Sequence, residues 1–271
     1  MASAPLFRSG MLRECWAYRG FIAASVKRDF TARYLGTNLG FFWAVAQPLA
    51  MILIYTLVLS AVMKPALPGR GGPFAYSIYL CAGITLWQLF SELLTRSIGV
   101  FVHNATLLKK AALPKLAFPI VVTLSGLTNF AVIFALFLAF TAVIGAFPGA
   151  PLAAMVPVIL LLACFALGLG VLLGTINVFY RDVEQSVAML LQFWFWLTPI
   201  VYPGRALPGF AADLLALNPL WPIVHFAQTI FVEDRVPPWS MLAYPTLAAA
   251  VLLALGWLAF RRLAGEIVDE L

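Results

Sequence analysis

Sixty-five consecutive residues, between Lys115 and Arg181, carry no charge. A helix crossing a hydrocarbon core of about 30 Å needs about 20 apolar residues, so this stretch is long enough for two crossings. Gly145, Pro148, Gly149 and Pro151 mark the turn between them. Other uncharged gaps hold thirty residues between Arg33 and Lys64, twenty-one between Arg70 and Glu92, twenty between Glu184 and Arg205, and twenty-five between Arg235 and Arg261. Overall 63% of the chain is hydrophobic and 10% charged, where soluble domains carry about 25% charged residues. These numbers exclude a soluble enzyme. They predict an all-α membrane protein with six transmembrane helices, over 38–63, 75–99, 117–145, 154–178, 185–202 and 239–260.

Orientation follows from where the cations fall. With both termini cytoplasmic, the inside holds thirteen of the seventeen Lys and Arg residues and the outside holds Lys64, Arg70, Arg205 and Arg235. The positive-inside rule favours that arrangement. The basic balance is thereby read as topology, with no call for a nucleic-acid partner. Residues 214–232 are also uncharged, but Asn218-Pro219 and Trp221-Pro222 interrupt helical hydrogen bonding. Irregular backbone cannot face lipid, which favours a pair of short re-entrant helices in the outer leaflet over a seventh span.

At the other end, residues 11–34 read as an interfacial helix. Leu12, Trp16, Ala23, Val26, Phe30 and Tyr34 share an arc of about 80° at 100° per residue, although Arg19 falls inside it. An aromatic stripe beside cations suits an anionic membrane surface. No apolar run of signal-peptide length is visible in the first 33 residues.

Chemistry inside the membrane is sparse. Ion-coupled transporters need ionisable groups within the bilayer, and the spans hold almost none beyond Glu92 and Arg96. Those two stand four apart on one helix face and can neutralise each other. His103 and His225 are isolated, and the motifs HExxH, GxSxG and GxxxxGK[ST] do not occur. Cys15, Cys81 and Cys164 form no CxxC pair. No catalytic residue, metal site or resident cofactor is expected, so uphill transport would draw its energy from a partner. Loop 103–116 is the element suited to meet one, with apolar Leu107, Leu108 and Leu113 beside Lys109, Lys110 and Lys115, and Pro114 to end a short helix. An ordinary basic loop fits the same residues.

Several stretches together carry a resemblance. Arg33-Tyr34-Leu35-Gly36-Thr37-Asn38-Leu39-Gly40-Phe41-Phe42-Trp43 precedes Gln47-Pro48-Leu49. Then come Leu108-Lys109-Lys110 with Leu113-Pro114, Asn177-Val178-Phe179-Tyr180-Arg181-Asp182, Leu197-Thr198-Pro199-Ile200-Val201-Tyr202-Pro203, and Asn218-Pro219. In this order the set resembles type-2 ABC exporter permeases, in particular the Wzm-like membrane subunits that export O-antigen, with capsule and teichoic-acid permeases as relatives.

The resemblance implies a type-2 ABC exporter transmembrane domain in the inner membrane. It implies a homodimer working with two copies of a cytosolic ATP-binding subunit, on which ATP and Mg would bind, and a lipid-linked polysaccharide as cargo. Loop 103–116 becomes the coupling element and segment 204–238 the periplasmic gate. Sugar rings pack on aromatic faces, and a moving polymer needs many weak contacts. Phe42, Trp43 and Tyr55 of the first span, and Phe193, Trp194, Phe195, Trp196 and Tyr202 of the fifth, are the channel-lining residues to test. Four consecutive aromatics point all round a helix, so at most two face one pore, and such residues also anchor helices in lipid. Arg33 and Tyr34, with Arg181 and Asp182, are candidates for the cytoplasmic substrate entrance, since arginine suits bidentate contact with phosphate. A permease for a small drug, antibiotic or lipid keeps the same architecture. An integral-membrane glycosyltransferase or acyltransferase is a third reading, opposed by the scarcity of carboxylates.

Overall fold

The computed structural model describes residues 17–34, 42, 46, 50, 53, 54, 74–110, 113–204 and 215–270. Among them every element is helical. These are α1 (Arg19–Tyr34), α2 (Ala75–Ile98), α3 (Val100–His103), α4 (Ala105–Lys110), α5 (Ala117–Val143), α6 (Met155–Phe179), α7 (Asp182–Trp196), α8 (Leu220–Glu233), α9 (Ala243–Leu263) and α10 (Glu266–Glu270). Short 3₁₀ turns, Ala150–Ala154 and Trp239–Leu242, lead into α6 and α9.

Among the described residues, four stretches are long and apolar enough to cross a membrane: Ala75–Ile98, Ala117–Val143, Ala150–Phe179 and Trp239–Leu263. The protein is an integral membrane protein. At 1.5 Å per residue, the 24 residues of α2 rise about 36 Å, enough for the hydrocarbon core with some tilt. The turn from α5 to α6 holds Gly145 and Gly149 at φ +71° and +53°, backbone that side chains rarely adopt.

Helix α6 is the axis of packing, lying against α2 on one side and α9 on another. Its glycines set the separation. A Cβ on Gly168 would stand 2.6 Å from the Leu253 nitrogen, and one on Gly256 2.6 Å from the Gly168 carbonyl oxygen. On the α2 side, a Cβ on Gly174 would meet the Ser97 carbonyl oxygen at 2.6 Å. Backbones this close are what small residues permit between membrane helices. Gly36 and Gly40 lie outside the described residues, as does most of the stretch 38–63.

One element departs from the sequence reading. The expected fifth crossing, 185–202, is a 15-residue helix that ends at Trp196, about 22 Å long. Pro199 has no N–H to give the Phe195 carbonyl, which instead takes the Thr198 N–H at 3.1 Å, and the chain leaves the helix. Asn218-Pro219 separates the helical residues Leu215 and Ala216 from α8, as the prolines imply, while Pro222 is accommodated inside α8. Pro219 caps the helix and Pro222 lies in its first turn, where no intrahelical acceptor awaits an N–H. The rest of α8 continues to Glu233 and is buried against α2 and α6.

Candidate functional site

One end of the bundle carries a polar junction of three helices. Glu92 of α2 accepts from Arg33 of α1 at 2.7 Å, from Asn129 Nδ2 of α5 at 2.7 Å, and from Arg96 one turn on at 3.5 Å. Arg96 also donates to Asp29 of α1, and the Tyr34 hydroxyl donates to Asn129 Oδ1. Two carboxylates face two guanidiniums, so the junction is neutral. Asn129 turns its amide group toward Glu92 and its oxygen toward Tyr34, so neither end is left unpaired. Burial pushes the Tyr34 hydroxyl above its ordinary pKa, with Arg33 pulling the other way and Glu92 adding to the rise; it remains a donor near neutral pH.

The junction changes the reading of α1. Ile22, Ser25, Asp29 and Arg33 turn toward α5 and α2, while Ala23 and Phe30 of the expected membrane stripe stay exposed. The centre of this protein-facing set is thus rotated by about 100° from that of the apolar arc, of which Tyr34 is also buried. Arg33 and Tyr34, expected at a substrate entrance, are here engaged with Glu92 and Asn129. Asp29 and Asn129 were not singled out from the sequence; an asparagine inside an uncharged span was the available signal.

The second grouping follows α2. Helices α3 and α4 pack Phe101 and Leu108 into a buried cluster with Phe118, Phe260 and Ile267, and Leu113 lies against it. Leu107 and Lys109 remain exposed. Pro114 stands beyond the last residue of α4, its carbonyl accepting the Ala117 N–H at 2.8 Å to begin the turn into α5. Lys115 donates to the Ala264 carbonyl. Nearby, buried Asn177 donates to the Ile98 carbonyl at 3.3 Å and accepts the Glu184 N–H at 3.1 Å, tying the end of α2 to the start of α7. Arg181 and Asp182, next to it, are exposed. His103 faces Glu184 at 3.7 Å.

Helix α7 divides its aromatics. Trp194 packs edge-on against Phe90, with ring centroids 5.2 Å apart, and gives its Nε1–H to Asn218 at 3.0 Å. Phe195 lies against Trp87 at 5.5 Å. Phe193 and Trp196, 62% and 63% exposed, point away from the bundle. They share a face with exposed Gln185, Met189 and Gln192, at helical spacing. The two glutamines went unremarked in the sequence reading. Phe42 is exposed, and Trp43 and Tyr55 lie outside the described residues.

Beyond α7, the hydroxyl of Tyr202 folds back on the Trp196 carbonyl at 2.5 Å. Asn218 binds four groups there: it accepts from Trp194 and from the Leu220 N–H, and donates to the Leu197 carbonyl and the Thr198 hydroxyl.

With that geometry in view, the comparisons decide the family. The model for the ABC-2 type transporter matches residues 21–232. The chain belongs to the ABC-2 type transporter family. It is 32% identical over 252 residues to the O-antigen export system permease protein RfbA of Myxococcus xanthus, covering 92% of this chain and 93% of that one. A protein of the same name from Klebsiella pneumoniae is 28% identical over 87% of this chain and 89% of its own. The polysialic acid transport protein KpsM of Escherichia coli is 21% identical over 89% and 92%. The family model covers the polar junction, α3 and α4, α7 and nearly all of α8, and ends before α9.

Proposed function

We propose that this ABC-2 permease is the membrane subunit of an ATP-driven exporter of lipid-linked polysaccharide. Two copies form a channel in the inner membrane, each with six spans, the fifth made of α7 together with the irregular segment that follows it, and both termini cytoplasmic. Two copies of a separate cytosolic subunit bind ATP and Mg and drive transport. The observation that carries the reading is similarity, over about nine-tenths of the chain, to proteins named for O-antigen export and for polysialic acid transport.

The site chemistry supports it. The face of α7 bearing Gln185, Met189, Gln192, Phe193 and Trp196 mixes aromatic surface with uncharged amides. Aromatic faces hold sugar C–H surfaces and amides exchange hydrogen bonds with hydroxyls, without a fixed charge that would arrest a passing polymer. In this reading Phe193 and Trp196 line the channel, whereas Trp194 and Phe195 hold α7 to its own subunit. Leu107, Lys109 and Lys110 offer the coupling surface to the ATP-binding subunit. Segment 204–238 forms the gate on the far side, with α8 as its buried wall. Arg33, released from Glu92, and Arg181 attract the phosphate of the lipid carrier at the entrance.

The test is complementation. Deleting the gene should leave polysaccharide inside the cell, and restoring it together with its ATP-binding partner should return the polymer to the surface. The purified permease alone should hydrolyse no ATP. A chain that exports in the absence of any ATPase would overturn the reading.

A further inference from the structure

The seven residues from Trp196 to Tyr202 lie between the end of α7 and Pro203, and their carbonyls cannot all be served by a helix. Nevertheless each one is occupied. Trp196 O takes the Tyr202 hydroxyl, Leu197 O takes Asn218 Nδ2 at 3.2 Å, and Thr198 O takes the Ile200 N–H at 2.7 Å. Pro199 O takes the Tyr79 hydroxyl at 3.1 Å, and Val201 O takes the Tyr76 hydroxyl at 2.7 Å. Tyr202 O shares that single Tyr79 proton, at 3.0 Å. Gln228 Nε2 reaches Pro199 O at 3.4 Å and Ile200 O at 3.5 Å.

An unpaired backbone group in a water-poor interior costs several kcal/mol. A glutamine only 2% exposed in an apolar helix is costly for the same reason, and Gln228 recovers that cost on these carbonyls. Gly83 supplies an independent sign that the room is made for it. A Cβ there would lie 2.8 Å from Gln228 Nε2 and 3.1 Å from Ile200 Cγ2.

We infer that Tyr76, Tyr79, Asn218 and Gln228 are positioning residues that hold the Trp196–Tyr202 backbone as a fixed rim, and so set where Trp196 and Tyr202 stand at the end of the channel. The inference rests on the channel reading above. Side-chain donors from α2 and α8, and from Asn218 just before α8, converge on one short stretch, so the rim moves only when those helices move.

The test uses the full chain in lipid nanodiscs and hydrogen exchange across residues 197–204. Tyr79→Phe and Gln228→Leu keep the side-chain volume and remove donors; Gly83→Ala leaves the donors and displaces Gln228. Each should raise exchange in that segment about tenfold, the weight of one net hydrogen bond, while α6 and α9 stay unchanged. In cells holding the ATP-binding partner, the same variants should lower surface polysaccharide several-fold at undiminished membrane level of the permease. Unchanged exchange in both Tyr79→Phe and Gln228→Leu would overturn the rim. Raised exchange with normal export would overturn its positioning role. If the unaltered complex exports no polymer, it is the export reading that fails, and exchange alone still decides the rim.

Discussion

Arg33 and Glu92, separated by 59 positions in the chain, meet at 2.7 Å and fasten α1 to the bundle. Arg33→Glu would gather three carboxylates beside Arg96, and α1 should come away from α5. The double variant Arg33→Glu with Glu92→Arg keeps the net charge and should re-dock it. Because Arg33 is 40% exposed, water screens the pair and the coupling energy should be on the order of 1 kcal/mol. Limited proteolysis within α1 reads the outcome: rapid cleavage in the single variant and protection regained in the double.

The division of aromatics on α7 separates stability from transport. Trp194→Ala removes packing on Phe90 and leaves Asn218 Oδ1 without its indole donor, so thermal stability in detergent should fall by about 3 kcal/mol or more. Phe193→Ala with Trp196→Ala strips two exposed rings and should leave the melting temperature within a few degrees. Export by that second variant should nonetheless drop several-fold. Equal melting losses in the two variants would contradict the assignment of faces.

Charge spacing made the long helices legible, because Lys, Arg, Asp and Glu cannot sit in hydrocarbon unpaired. It could not show where α7 stops. That depends on Pro199, visible in the sequence, and on Tyr76, Tyr79 and Gln228, whose bonds to the segment span from 28 to 125 positions. The Glu92–Arg96 pair was legible from helical spacing, but Asp29, Arg33 and Asn129 reach it only through the tertiary fold. Pro219 and Pro222 made a break and a short helix legible, but not that Pro222 would sit inside the first turn of α8. The same residue breaks a helix from within and begins one from its first turn, and composition does not distinguish the two. At the opposite extreme, Asn177 and Asn218 were on the page within motifs, yet their bonds to Ile98 and Trp194 were not.

The α6–α9 crossing admits no side chain. Gly256→Leu would drive a branched group into the Gly168 carbonyl, and over-packing of this sort costs about 1–3 kcal/mol when the helices can shift and more when they cannot. Gly20→Ala, with nothing within 4 Å of the added Cβ, is the control on α1. Folded yield after membrane extraction should fall for the first and hold for the second.

The last prediction concerns α4. Leu108 is buried with Phe101 and Ile267, while Lys109 is exposed. The proposed docking surface and a packing anchor thus occupy adjacent positions, and substitutions should divide them. Lys109→Glu changes only the outward charge; it should leave the melting temperature unchanged and reduce co-purification of the ATP-binding subunit several-fold. Leu108→Ala opens a cavity beneath α4, costing about 2–5 kcal/mol, and should lower the melting temperature before any effect on the partner is seen. Rising salt should weaken the wild-type assembly if Lys109 and its neighbours meet carboxylates across the interface, because exposed ion pairs are screened within about 10 Å at 0.1 M salt. Co-purification of the Lys109→Glu variant at wild-type levels and at every salt concentration would remove α4 as the coupling element.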